Sequence, residues 1–378
     1  MIKKSKHIAF IFLLIILVSP LFFEIFSFIH IKSLKGYFQE ISDSNLTIQN
    51  WNSGVYQNQH EKVFQQKLRI RPVLVRINNQ IRFLIQKDVS AANVVYGKNG
   101  YFFERHYIWT YYGLDFKGAD SIRTKMNDLK TVIDFLETKN IKFLLVLAPG
   151  KAEFMPENIP DEFNNDKKKT NNYQIYKQLC SKLNISYIDF NSYFRQMKDT
   201  IHYPLYTKGG THWSIYGSYL AIDTIIKKIE HLLQKDLPDY NYPLYQVTKK
   251  MRRSDHDIAN AANLLWYKHN QVVLYPYLQI SDTNQKFKPN IAVIADSYYW
   301  TIVNNGIQRL FFNNFSFWYY FKENHTSKPD SPKMLSEIPD LKSEIESKDI
   351  LVFLITDGNL REFSWGFTEK IKELYNLD

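Results

Sequence analysis

The chain has 378 residues, enough for one large α/β domain with additions or for roughly two to three ordinary domains. Apolar residues make up 45% and charged residues 23%, with only 13 glycines and 13 prolines, which excludes collagen-like, low-complexity and largely disordered chains. The balance of 48 basic against 38 acidic residues leaves a net charge of +10. The basic runs at 167–169 and 249–253 lack the spacing of a nucleic-acid module, so no nucleic acid is expected as a partner. A single cysteine, Cys180, excludes an intrachain disulfide and a cysteine-based zinc cluster.

At the amino terminus, Lys3, Lys4 and Lys6 precede an almost wholly apolar stretch over 8–29, and about 20 such residues cross a hydrocarbon core. Positive charge ahead of the stretch holds the amino terminus in the cytoplasm and sends the remainder across. The apolar run continues past Leu17-Val18-Ser19-Pro20, a poor cleavage site, so an uncleaved anchor is favoured over a signal peptide. The expected organisation is an anchor over 1–30, a polar linker over 31–50 and a globular region over 51–378. Abundant Lys, Asn and Ile suggest a bacterial chain, single-pass in the inner or cytoplasmic membrane, with its carboxyl-terminal domain periplasmic or extracellular.

In the segment 64–85, Leu68, Ile70, Val73, Leu74, Ile77, Ile81 and Leu84 recur at helical spacing, predicting one helix, entered at Pro72, that buries this face and leaves its arginines out. The segment 96–103 reads as a hairpin turning at Asn99-Gly100. From Asp120 the pattern alternates. A helix carrying Ile122, Met126, Leu129, Ile133 and Leu136 leads into an apolar strand at 143–148. A second helix, with Tyr173, Tyr176, Leu179 and Leu183, leads into a strand at 185–190. A helix over 215–233 follows, then a strand at 291–295, a helical stretch at 335–345 and a strand at 350–355. Continuous apolar strands between amphipathic helices predict an α/β fold with a parallel sheet covered on both faces. Ligands of such sheets bind beyond the carboxyl ends of the strands, so the loops at 149–160, 191–212, 296–300 and 357–360 are where chemistry is sought.

Two of these loops carry reactive groups. Ser297 follows the strand 291–295 where a helix can begin, which exposes a hydroxyl beside free helix N–H groups; the plain alternative is a helix cap. His212 lies in the loop Lys208-Gly209-Gly210-Thr211-His212-Trp213-Ser214, just before the helix over 215–233. An imidazole and a hydroxyl at one sheet edge supply the base and nucleophile of acyl transfer.

Four motifs together carry a resemblance. They are Thr211-His212-Trp213-Ser214-x-x-Gly217, Ile294-Ala295-Asp296-Ser297-Tyr298, the hairpin Gly97-Lys98-Asn99-Gly100-Tyr101-Phe102-Phe103, and Pro149-Gly150-Lys151 before Pro156-Glu157-Asn158-Ile159-Pro160. In this order, histidine before serine, the region 51–378 resembles the SGNH-hydrolase-like domain of the alginate O-acetylation proteins, the AlgX and AlgJ type. The resemblance implies an SGNH-hydrolase-like parallel sheet flanked by helices, Ser297 as an acetyl-accepting nucleophile and His212 as its base. It also implies a polysaccharide as acceptor and a multi-spanning membrane acyltransferase as acetyl donor.

The family's Asp-x-His is broken here by Gly210. The acid that orients the imidazole must come from elsewhere, be replaced by a carbonyl, or be missing. Asp296, Asp255 and Asp257 are the candidates, with Asp296 favoured because it adjoins Ser297. Lys151, Trp213 and Tyr298 are the expected substrate contacts, and the Tyr298 N–H is a candidate oxyanion donor. No Walker loop, Rossmann fingerprint or His-Glu-x-x-His is present, so neither a nucleotide cofactor nor a metal is implied. The leading expectation is an extracytoplasmic O-acetyltransferase acting through an acyl-serine. A carbohydrate esterase or deacetylase and a non-catalytic glycan-binding subunit remain as alternatives.

Overall fold

The computed structural model describes residues 2–26, 28–36, 40–89, 91–163, 167–267, 269–282, 284, 286–326 and 332–377. The chain forms two compact units, Met1–Val94 with Ala259–Lys268, and Val95–Ile258 with His269–Asp378.

The first unit is helical. Its leading helix, Ile2–Ile25, contains the stretch Lys6–Ile25, which is long and apolar enough to cross a membrane. The segment 64–85 is shared between two helices, Val55–Lys67 and Arg71–Gln86, separated at Leu68-Arg69-Ile70, and the second is entered at Pro72 as expected. Pro72 sits in the first turn of the second helix, where its missing N–H leaves no hydrogen bond unmade.

The face that this second helix buries differs from expectation. Leu74, Ile77, Ile81, Leu84 and Ile85 are exposed, whereas Asn79, Gln80 and Phe83 point inward. Two long-range hydrogen bonds hold the helix in this rotation. Asn79 Nδ2 donates to the Ala262 carbonyl at 2.9 Å, and Gln80 Oε1 accepts from the Trp266 N–H at 3.1 Å. Turning the apolar stripe inward would leave those buried amides unpaired.

The second unit contains all but the start of the strand set. In chain order the strands are β1 (Val94–Tyr96), β2 (Phe102–Glu104), β3 (Lys142–Ala148), β4 (Tyr187–Asp189), β5 (Asp239–Thr248), β6 (Val273–Asp282), β7 (Ile291–Ala295), β8 (Phe315–Tyr319), β9 (Glu323–Thr326), β10 (Lys333–Met334) and β11 (Ile350–Thr356). β1 and β2 are the predicted hairpin, with Asn99 and Gly100 both at positive φ in its turn. β5 and β6 form a separate antiparallel ribbon.

The main sheet has the order β10-β9-β8-β7-β11-β3-β4. β7, β11, β3 and β4 run parallel, as the apolar strand pattern predicts, and β8 joins them in parallel, while β9 and β10 fold back antiparallel at one edge, making the sheet mixed. Alternate side chains of the central strands feed different cores. Leu144, Val146, Val293 and Val352 join the helix Ile215–Leu233 on one face. Phe143, Leu145, Ile294 and Phe353 join the helices Ala119–Thr138 and Asn172–Lys182 on the other. Burial on both faces is why these strands read as unbroken apolar runs. The carboxyl ends of β3, β7, β8 and β11 share one edge, which brings 149–151, 296–297, 320 and 357–359 together.

Candidate active site

Ser297 begins a short 3-10 turn directly after β7. His212 lies two residues before Ser214, whose hydroxyl accepts from the Gly217 N–H and so caps the helix Ile215–Leu233. The two side chains meet, with His212 Nε2 2.9 Å from Ser297 Oγ. On the other side of the ring, His212 Nδ1 lies 3.0 Å from Asp257 Oδ2. Asp257 Oδ1 accepts from the Thr211 N–H at 2.8 Å, so one carboxylate fixes both the imidazole and the backbone next to it. Burial alone would push the His212 pKa down. The hydrogen bond and charge of Asp257, aided by Glu104 and Asp296, outweigh it and hold the imidazole above its ordinary value.

Asp296, the acid favoured from sequence, does not touch His212. It is fully buried, and both of its oxygens are occupied elsewhere. Oδ1 accepts from the Tyr298 N–H, and Oδ2 accepts from the Thr356 N–H, the Thr356 hydroxyl and Asn359 Nδ2, at 2.8 to 3.0 Å. Although it adjoins Ser297 in the chain, its side chain ties the end of β7 to the end of β11. Asp255, the third candidate, is also buried and accepts from the Ile215 N–H, with burial raising its pKa to about 7. A side chain at Gly210 has no room. Its Cβ would stand 2.5 Å from the Ser254 carbonyl and 2.6 Å from Thr207 Oγ1.

The family whose description is SGNH hydrolase-like domain, acetyltransferase AlgX, matches residues 94–290, just over half of the sequence. The chain belongs to this family. The matched region contains His212, Asp257, Lys151 and the hairpin, and ends seven residues before Ser297. Among solved structures, the chain is similar to the O-acetyltransferase domain of Pseudomonas putida AlgJ, at 15% identity and a TM-score of 0.48, over 75% of this chain and 99% of that one. Bacillus cereus PatB1 with a sulfonyl adduct gives 14% and 0.47, over 72% and 99%. Pseudomonas aeruginosa AlgX gives 14% and 0.45, over 73% and 67%. No curated protein matches the sequence.

The remaining expected contacts of this AlgX-family site have other places in the structure. Lys151 is buried rather than open to a substrate. Its ammonium lies near the rings of Tyr101 and Phe103 and donates to the carbonyls of Lys208 and Gly210 at 2.9 and 2.7 Å. Burial pulls its pKa down to about 7, against the raising charges of Asp257 and Glu104. It therefore braces the loop that presents His212. Trp213 is fully buried, and its Nε1–H donates to Thr301 Oγ1 and the Tyr298 carbonyl, so it offers no face to a sugar. Tyr298 is buried as well. Its ring packs edge-on against His212 and Trp213, and its N–H is taken by Asp296, which removes it as an oxyanion donor.

Tyr320 was not marked by sequence reasoning, because β8 was not predicted. It follows β8 in the left-handed region at φ 47°, with its N–H donating to the Ala295 carbonyl. This turns its phenol toward the side chains of Ser297 and Asn359. Burial raises its pKa, with hydrogen bonding to Ser297 and Asn359 acting the other way.

Proposed function

We infer that this protein is an O-acyltransferase, with acetyl as the group carried and a cell-surface or secreted polysaccharide as acceptor, and that Ser297, His212 and Asp257 perform the chemistry. The observation that carries the reading is the relay Asp257···His212···Ser297, with contacts of 3.0 and 2.9 Å. Ser297 Oγ attacks the acyl carbonyl as its proton passes to His212 Nε2, and the imidazolium is stabilised by Asp257. The imidazolium then protonates the departing donor group, leaving acyl-Ser297. A glycan hydroxyl next gives its proton to His212 and attacks the acyl carbon, and the proton returns to Ser297 as the ester leaves. We assign Tyr320, whose hydroxyl hydrogen-bonds with Ser297, as the candidate donor to the oxygen that becomes negative at each attack.

The apolar stretch Lys6–Ile25 supports a single-pass anchor, with the second unit on the extracytoplasmic side because of the lysines that precede the stretch. Acetyl-coenzyme A is cytoplasmic, so this placement calls for a multi-spanning acyltransferase that delivers the acyl group across the membrane.

The test is transfer of labelled acetate from an activated ester to oligosaccharide by the full-length protein, with labelling of Ser297 by a fluorophosphonate. Both are expected in the wild type and absent in Ser297→Ala. Labelling with ester turnover indifferent to added oligosaccharide would assign an esterase instead. Glycan binding without labelling would assign a binding subunit.

A further inference from the structure

The helix Arg71–Gln86 shows solvent the wrong side for a soluble protein. Leu74, Ile77, Ile81, Leu84 and Ile85 fall on one stripe at helical spacing, and each is between 41% and 75% exposed. The inward face carries Asn79 and Gln80, each bonded to the backbone of the 259–268 segment. The polar face is locked in, so the apolar stripe is held out by design of the packing and must be covered by something else.

The structure places the start of this helix beside the exit of the apolar stretch. Glu24, one residue from the end of Lys6–Ile25, accepts from the Arg69 N–H at 2.7 Å. The Arg69 guanidinium donates to the Ile29 carbonyl at 3.0 Å, and Arg76 donates to the carbonyls of Lys32 and Ser33 at 2.8 Å. The chain leaving the stretch is thus stitched to the first two turns of the helix. The surrounding charge is mainly basic: residues 62–87 contain seven basic side chains and no acidic one, with Glu61 and Asp88 at the two ends and Asp88 paired with Arg82.

We propose that the helix Arg71–Gln86 lies on the membrane surface, with its Leu74, Ile77, Ile81, Leu84 and Ile85 stripe in the headgroup boundary of an anionic bilayer. A helix with an apolar stripe and a basic surround binds such a surface through buried area and attraction to anionic lipid together. The inference rests on the reading of Lys6–Ile25 as the anchor, which brings the helix to that depth. Its effect is to fix the first unit at two points rather than one and so restrict how it stands on the membrane.

The experiment uses the full-length chain with single cysteines at Ile81→Cys, Ile85→Cys or Leu14→Cys, labelled with an environment-sensitive fluorophore; native Cys180 is buried and stays in place. Each protein is reconstituted into vesicles of phosphatidylcholine with or without phosphatidylglycerol, carrying lipid with a nitroxide either near the headgroup or deep in the chain. In the anionic vesicles, the probes at 81 and 85 should shift to the blue and be quenched most by the shallow nitroxide. Unshifted, unquenched probes at 81 and 85 while the Leu14→Cys probe is quenched by the deep nitroxide overturn the proposal and leave the anchor standing. An unquenched Leu14→Cys probe refutes the anchor separately. Shielding of 81 and 85 that rises with protein concentration in detergent, or that requires a second membrane protein in the vesicles, also overturns the proposal, because the cover is then protein.

Discussion

Asp257 reaches His212 from 45 residues downstream and grips it twice, through Nδ1 at 3.0 Å and through the neighbouring Thr211 N–H at 2.8 Å. The position two residues before His212, where the family pattern places an acid, is Gly210, and it is sealed by the Ser254 carbonyl and Thr207. The same loop, 252–257, that closes the space at 210 therefore delivers the carboxylate. Loss of the local acid and gain of the distant one are two sides of one packing arrangement.

Replacement of the two acids should separate their roles. Asp257→Asn leaves the shape of the site but stabilises the wrong imidazole tautomer, and turnover of an activated acetate ester should fall roughly a thousandfold or more with little change in melting temperature. Asp296→Asn should instead destabilise the fold by about 2 kcal/mol, because an amide cannot accept all the bonds that now tie β7 to β11. Melting curves and kcat for both variants check this, and equal losses of kcat without a loss of stability would return Asp296 to the catalytic set.

The raised pKa of His212 fixes the pH dependence. Only the neutral ring accepts the Ser297 proton, so kcat/KM should rise with pH through a midpoint above the ordinary 6.5, and Asp257→Asn should move that midpoint down. For stability the sign is opposite. A folded pKa raised above the unfolded one contributes stability that is complete below about 6.5 and is lost as pH rises through the folded value. A pH–rate profile of the ester reaction and denaturant melts across the same range test the two directions.

Lys151 should behave as a buried brace. Its pKa of about 7 lies below the ordinary 10.5, so holding it charged in the fold is unfavourable, with the full cost present below about 7 and relieved as pH climbs toward 10.5. Stability should therefore gain from this group over that interval, and Lys151→Met should flatten the gain. The same variant leaves the carbonyls of Lys208 and Gly210 without their donor and loosens the His212 loop, lowering kcat more than it raises KM for glycan. A change confined to KM would mark Lys151 as a substrate contact instead.

Restoring the family acid in place should fail. Gly210→Asp forces a Cβ to 2.5 Å from a backbone carbonyl, which the 252–257 loop must yield to accommodate, carrying Asp257 with it. We expect a lower melting temperature and no rescue of Asp257→Asn in the double variant. Recovery of activity there would show that the loop has more freedom than its packing indicates.

The helices and central strands were legible because each carries a periodic signal of its own. The helix Ile215–Leu233 repeats its apolar residues every three or four positions, and β3, β7 and β11 are apolar throughout because both faces are covered. β8, β9 and the β5–β6 ribbon were not legible. β8 is an aromatic run interrupted by Ser316, β9 is polar, and the ribbon is exposed along most of β5, so none has the continuous apolar run or clean alternation that marks a strand. The apolar stripe of Arg71–Gln86 predicts a buried face and is exposed, since periodicity reports that a face is apolar and not what covers it.

The sequence by itself determined the apolar amino-terminal stretch, the α/β alternation, and the places of a histidine in a loop and a serine at a strand end, because these depend on residue types and short spacings. Only the tertiary structure decided which of three aspartates serves His212, why 210 is glycine, and that Lys151, Trp213 and Tyr298 are internal. Those outcomes turn on contacts between residues tens to hundreds of positions apart, and local sequence holds no record of which distant groups will share a few ångströms of space.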